Sequence, residues 1–244
     1  SGRNGESDFR AIMEYACKAP TVSEQNLHET LIIMIPNTTD YGGICYMYDD
    51  GEAIAYCPMS NYGYPFDFRG VIQHEAGGHG FGKLGDEYIY HNAFIDDCYC
   101  TCCPHDWEFN AAKSNGWYAN LSLSGKRSEV PWSRFLTHDK YKQIVDVFEG
   151  GYRHSRGVYR SEYNSCMNND VPYYSTVSRE EIVKRIMRYS GETYSFADFV
   201  SKDKIEPGDT GSTEATRSLS TLPYGHHHQH HPVFMGKRPG LFVK

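Results

Sequence analysis

Residues 74–79 read His-Glu-Ala-Gly-Gly-His, so a glutamate follows the first of two histidines within one short stretch. Imidazole and carboxylate groups are zinc ligands in proteins, and a glutamate beside such an ion can take a proton from water. Asp86 follows His79 by seven residues, across a glycine-rich turn. The stretch therefore predicts a hydrolytic zinc site with His74, His79 and Asp86 as metal ligands, one open position, and Glu75 as general base.

The spacing of the two histidines sets a condition on the helix that carries them. His74 and His79 are five residues apart, which places them about 140° apart around a regular α-helix, too far to share one ion. A π-type widening absorbs one extra residue and brings the two side chains onto one face. Gly77 and Gly78 offer little steric resistance to such a widening. We therefore predict a helix over residues 69–82 that is widened between Glu75 and His79.

A second stretch, Ser165-Cys-Met-Asn-Asn169, lies about ninety residues further on, ahead of a predicted helix. Together with His-Glu-Ala-Gly-Gly-His-Gly-Phe-Gly-Lys-Leu-Gly-Asp-Glu-Tyr at 74–88, it resembles the IgA-peptidase-type family of zinc metalloproteases within the metzincin-like group. The resemblance implies a bound Zn2+ with Asp86, the first residue of an Asp-Glu-Tyr triplet, as the third ligand. It also implies that Met167 is the methionine of a turn that passes beneath the metal.

Two features depart from the pattern of that group. Three residues separate Glu75 from His79 where the family commonly has two, a spacing that resembles zinc-dependent dipeptidyl peptidases, in which a distorted helix is used. The third ligand, Asp86, also comes one residue later than is usual.

The function implied is that of a zinc-dependent endopeptidase, in which Glu75 activates the zinc-bound water to hydrolyse peptide bonds of a protein or peptide substrate. Tyr173 and Tyr174 are candidate donors to the tetrahedral oxyanion. The strand predicted at Glu52–Cys57 is expected to be an edge strand, to which an extended peptide adds by backbone pairing. The resemblance also implies a secreted or cell-surface protein.

The predicted helices and strands indicate an α/β fold. The resemblance implies, more specifically, a metzincin-like zinc metalloprotease with a twisted mixed sheet, an active-site helix and a loop-rich lower lobe. Hydrophobic periodicity predicts a helix at 8–18, a buried strand at 31–35 and two strands between 44 and 57 folded about Asp49-Asp50-Gly51. Further helices are predicted at 140–148 and from a capping box at Ser178 to Gly191, with Ile186 among the inward-facing residues of the second.

Length and charge bound the organisation and the partners. The 244 residues fit a catalytic domain at 1–200, with an upper lobe at about 1–89 and a lower lobe at about 90–200, followed by an extended tail at 201–244 packed on or beside it. A net charge of −7 without a basic stripe argues against nucleic acid as a partner. No apolar run is long enough for a membrane span. The oligomeric state stays open.

Two further clusters leave alternatives open. Cys98, Cys100, Cys102 and Cys103 fit either disulfides in an oxidising compartment or a soft-metal site in a reducing one. The run His226–His231 fits a metal site, an expression tag or a solvated stretch. The alternative functions are a catalytically weak relative that binds protein or glycan, and a structural zinc or disulfide module around the cysteine cluster.

Overall fold

The computed structural model describes residues 8–97, 106–205 and 232–241. These residues form two compact units, which we call the first unit (8–81 with 232–241) and the second unit (82–97 with 106–205). Both contain helices and a mixed sheet, so the predicted mixed α/β class is confirmed. The cysteine cluster at 98–103, the histidine run at 226–231 and most of the predicted tail at 201–244 lie outside the described residues.

The first unit is built on a four-stranded mixed sheet with the order β1-β3-β2-β8. Its strands are β1 (Leu31–Met34), β2 (Ile44–Met47), β3 (Ala53–Tyr56) and β8 (Val233–Phe234). β3 pairs in parallel with β1 and antiparallel with β2, whereas β8 pairs in parallel with β2. Strands are confirmed within the predicted ranges 31–35 and 44–57, and Gly51 forms the turn between β2 and β3 with a φ of 108°. The prediction that the first strand is buried is wrong, because β1 lies at the edge of this sheet, and Ile33 and Ile35 are 41% and 51% exposed. The prediction that the strand at Glu52–Cys57 is an edge strand is wrong, because β1 and β2 flank it.

Helix α1 (Phe9–Ala16) confirms the first predicted helix and closes one face of this sheet. Asp8 caps its N-terminus by accepting a hydrogen bond from the Ala11 amide at 3.2 Å. The apolar side of α1 places Met13 in the core of the first unit. That core consists of Met13, Leu27, Ile44, Tyr48, Ile54, Tyr56 and Leu241. Met13 lies in the predicted helix and Ile44, Ile54 and Tyr56 lie in the predicted strands, whereas Leu27 and Leu241 come from outside the predicted elements.

The second unit contains a mixed sheet in which β7 is the central strand. Its strands are β4 (Ile89–Phe94), β5 (Leu121–Ser122), β6 (Phe148–Gly151) and β7 (Arg153–Arg160). β7 pairs in parallel with β4 and antiparallel with β5 and β6. Its helices are α3 (Asp106–Ser114), α4 (Cys166–Asn169), α5 (Thr176–Ser190) and α6 (Phe196–Lys202). The region predicted to be a loop-rich lobe therefore carries a sheet, in which the pairing of β7 with β4 and with β6 contains register shifts.

The helix predicted at 140–148 is wrong. Residues 139–144 form successive turns and Phe148 begins β6. Tyr141 and Val145 are nevertheless buried in a core with Trp132 and Phe135, so their spacing reflects burial without a continuous helix. Gly150 lies in β6 with a φ of 104°, a conformation that favours glycine.

Helix α5 begins earlier than predicted. Ser175 is the N-cap, and its hydroxyl accepts a hydrogen bond from the Ser178 amide at 3.3 Å, so the capping box at Ser178 is wrong. The helix ends at Gly191 in a left-handed conformation, as predicted. Ile186 was predicted to face inward and is 51% exposed. Val183 packs against the core of the second unit.

Candidate metal centre

The predicted widening of the histidine helix is confirmed. An α-helix, α2 (Phe68–Ile72), begins after Asp67, whose side chain accepts a hydrogen bond from the Arg69 amide at 3.0 Å. It continues as a π-helix over Gln73–Phe81, nine residues long, which exceeds the single widened turn that we predicted. In a helix with i to i+5 hydrogen bonds, residues five apart share one face.

The two imidazoles are consequently close together. The ring centroids of His74 and His79 are 4.8 Å apart at an interplanar angle of 76°, and both residues have no exposed surface. A regular α-helix would have turned one ring away from the other. The winding of the helix therefore converts an unusual spacing in the sequence into an adjacent pair of metal-binding groups.

Glu75 lies between the histidines in sequence and is fully buried. A Cβ added at Gly43, just before β2, would lie 2.6 Å from both Cγ and Oε1 of Glu75. The Glu75 side chain therefore rests against bare backbone at the start of β2, and any larger residue at position 43 would displace it. Burial, with a further contribution from the Glu75 carboxylate, raises the pKa of the neighbouring Cys57 thiol, which keeps it protonated.

The segment that carries Asp86 belongs to the second unit and has no regular secondary structure. Its backbone is held by hydrogen bonds to residues far away in the sequence. The Asp86 carbonyl accepts from the Tyr152 amide at 2.7 Å, and the Tyr88 carbonyl accepts from the Arg153 amide at 3.0 Å. The Glu87 amide donates to the Met167 carbonyl at 2.7 Å.

Side chains complete this anchoring. The amide of Asn120 forms a two-way pair with the backbone of Gly85, accepting from its N–H at 2.9 Å and donating to its carbonyl at 2.8 Å. The same Asn120 donates to Oε1 of Glu87 at 2.9 Å, and Ser165 donates to Oε2 at 2.6 Å. Burial raises the pKa of the Glu87 carboxyl to about 7, although the hydrogen bonds from Ser165 and Asn120 act in the opposite direction.

One atom each from His74, His79 and Asp86 forms a group in which all three lie within 4.8 Å of one another. All three residues are fully buried. Two imidazoles and one carboxylate are a donor set that suits Zn2+, and three protein ligands leave a position open for chemistry. The group could therefore hold a metal ion. Glu87 is directed to Ser165 and Asn120 and is not part of the group.

The remaining predicted site residues all lie in the second unit. Met167 is fully buried in α4, and its carbonyl is the acceptor for Glu87 described above. The Tyr173 hydroxyl donates to Oε2 of Glu162 at 2.7 Å, so it would have to leave this partner to donate to an oxyanion. Burial raises the pKa of Tyr173 and, well above its usual value, that of Tyr174. Both hydroxyls are thus protonated donors at neutral pH.

The residues that hold Glu75 and the segment of Asp86 in place were not predicted from the sequence. Gly43 follows Gly42, and this pair was a signal for a close approach of the backbone. Asn120 gave no signal, because neither its type nor its spacing distinguishes it from the other polar residues of the chain. Ser165 belongs to the stretch singled out at 165–169, but nothing in its type or spacing indicated a hydrogen bond to Glu87.

No protein-family model matches this chain, and no curated protein matches it. Within the described residues, no helix combines the length and the apolar character that crossing a membrane requires.

Proposed function

We propose that this protein is a zinc-dependent endopeptidase. The observation that carries the proposal is the buried group of His74, His79 and Asp86, with Glu75 buried on the same widened helix. A hydrolytic zinc site needs three protein ligands and a carboxylate that can move a proton, and these four residues have the required chemistry.

In the proposed reaction, Glu75 carries the proton. A zinc ion held by the three ligands would supply electrophilic polarisation of the scissile carbonyl and a lowered pKa for the attacking water. Glu75 accepts the proton that this water releases and delivers it to the nitrogen of the leaving amine. The close approach of Gly43 limits where the Glu75 carboxylate can lie, which reduces the number of side-chain rotamers that compete with the one needed for proton transfer.

The resemblance to IgA-peptidase-type metalloproteases supports the same function and extends it to a metzincin-like fold, with Met167 in the methionine turn. Tyr173 and Tyr174 stay candidate oxyanion donors, and secretion stays a prediction. A protein or peptide substrate is part of the proposal. Backbone pairing of such a substrate with β3 is excluded, because β1 and β2 occupy both of its edges.

The test combines zinc content with peptide cleavage. Wild-type protein dialysed against a weak chelator should retain one zinc ion and cleave members of a quenched fluorescent peptide library, and a strong chelator should abolish the cleavage. Glu75→Gln should retain zinc and lose at least about 100-fold in kcat/KM, in line with general-base contributions. Glu14→Gln, the same change on the exposed surface of α1, is the control and should be unchanged.

Full activity of Glu75→Gln would contradict the mechanism. A protein that retains zinc but cleaves no peptide would favour the alternative of a catalytically weak binding relative. Absence of zinc from the wild type would contradict the proposal as a whole.

A further inference from the structure

The fully buried carboxylate of Glu87 lies next to a metal-ligand candidate without belonging to the ligand group. Burying a carboxylate is costly unless hydrogen bonds compensate, so a residue in this position needs a structural or functional reason. The two neighbouring acids serve different partners, because the Asp86 carboxylate joins the histidines while the Glu87 carboxylate faces Ser165 and Asn120.

We infer that Glu87 is the positioning residue of Asp86, an inference that rests on the proposed zinc site. Glu87 is bound at both its backbone and its side chain. Its amide is bonded to Met167, and its two carboxylate oxygens are bonded separately to Asn120 and Ser165. These three contacts restrict the backbone and side-chain rotations of Glu87. They thereby restrict the direction in which the side chain of the preceding residue, Asp86, leaves the backbone.

We call the three hydrogen bonds of Glu87, to Met167, Asn120 and Ser165, the clamp. The clamp matters because the segment that carries Asp86 has no helix or strand to hold it. A ligand on a loose segment must be ordered when the metal binds, and the lost conformational entropy lowers the affinity. Asn120 extends the clamp by one further step, since it also pairs with both backbone groups of Gly85. Asp86 is therefore flanked on both sides by anchored residues and is held in place before any metal arrives.

The experiment measures zinc affinity by competition with a chromophoric chelator, so it does not depend on catalysis. Glu87→Ala should weaken zinc binding by about 10- to 100-fold, the usual effect of removing an outer-shell partner. Glu87→Gln should bind zinc nearly as well as the wild type. Its side-chain oxygen can still accept from Asn120, and its NH2 group can donate to the Ser165 hydroxyl.

Glu180→Ala is the matched control for the removal of a buried, hydrogen-bonded carboxylate from the second unit. Glu180 is 3% exposed and accepts hydrogen bonds from Arg134 and Tyr194. The Glu180→Ala variant should have a lower urea midpoint of unfolding and an unchanged zinc affinity. A purely structural role for Glu87 predicts that both alanine variants lose stability and keep their zinc affinity.

Cobalt provides a second measurement on the same proteins. With saturating Co2+, the visible absorption bands should change in Glu87→Ala, because a displaced Asp86 alters the ligand geometry, and they should be unchanged in Glu180→Ala. If Glu87→Ala does not fold, Ser165→Ala is the second variant. It removes the hydrogen bond to Glu87 and also the one that the Ser165 hydroxyl accepts from the Met167 amide at the start of α4, and it should weaken zinc binding by about tenfold, at the low end of the same range.

The outcomes separate this inference from the proposed function. Wild-type protein that binds no zinc overturns both. Wild-type protein that binds zinc, together with a Glu87→Ala or Ser165→Ala variant of equal affinity and unchanged cobalt bands, overturns the positioning role alone. Loss of affinity in Glu87→Gln as large as in Glu87→Ala also overturns it, since it would assign the effect to the charge of Glu87.

Discussion

The π-helix at Gln73–Phe81 and the segment at 84–88 carry the proposed ligands in opposite ways. The helix orients its two histidines through its own winding, which depends on the spacing of residues five apart. The segment has no regular structure, and its direction is set by hydrogen bonds to residues between 33 and 80 positions away in the chain. One half of a site can therefore be specified locally while the other depends entirely on long-range contacts.

The largest effect is expected from removing the ligand that the segment contributes. Asp86→Ala should weaken zinc binding by more than about 100-fold, because a direct bond to the metal is lost. Changes to residues that only support a ligand reach at most about 100-fold. Chelator competition measures the affinity. Asp97→Ala, an exposed aspartate of the same unit, is the control and should bind zinc as the wild type does. Equal affinities of the Asp86 variant and the wild type would remove Asp86 from the site.

A smaller effect is expected on the helix side, where Gly43 supports Glu75. Gly43→Ala should lower kcat/KM by about tenfold, because the new Cβ must push the Glu75 carboxylate aside. This is less than the roughly 100-fold or greater loss expected when the general base itself is removed. Zinc content should not change, because no ligand moves directly. Gly63→Ala is a control within the same unit, as its Cβ would meet no atom within 4 Å. Unchanged activity of Gly43→Ala would show that the position of Glu75 is not critical.

The smallest effect is expected on the amide hydrogen exchange of the segment at 84–88 when the metal is removed. The amides of Gly85 and Glu87 donate to Asn120 and Met167 and do not need the metal for their hydrogen bonds. Their hydrogen exchange should be the same with and without a chelator, whereas amides of the glycine-rich helix 73–81 should exchange faster once zinc is removed. Faster exchange at Glu87 in the metal-free protein would mean that the metal orders the segment, contrary to the comparison above.

Predictions from periodicity succeeded where the pattern is local and failed where packing intervened. The strands at 31–34 and 44–56 and the helix at 9–16 follow from alternation, apolar runs and a turn signal. The segment at 140–148 has the spacing of a helix, yet its residues reach the same core through turns. The edge position predicted for β3 failed because sheet order depends on which strands meet, and β1 reaches β3 from an earlier part of the chain.

The sequence by itself determined the chemistry of the proposed site and one condition on its geometry. The residue types at 74, 75, 79 and 86 specify nitrogen and oxygen donors with an adjacent base, and a spacing of five requires a widened helix because residues per turn are a property of the backbone. The tertiary structure alone decided what holds those groups. Gly43 supports Glu75, and Asn120 with Ser165 anchors the segment of Asp86. Such contacts join residues that are distant along the chain, so no local periodicity or spacing encodes them.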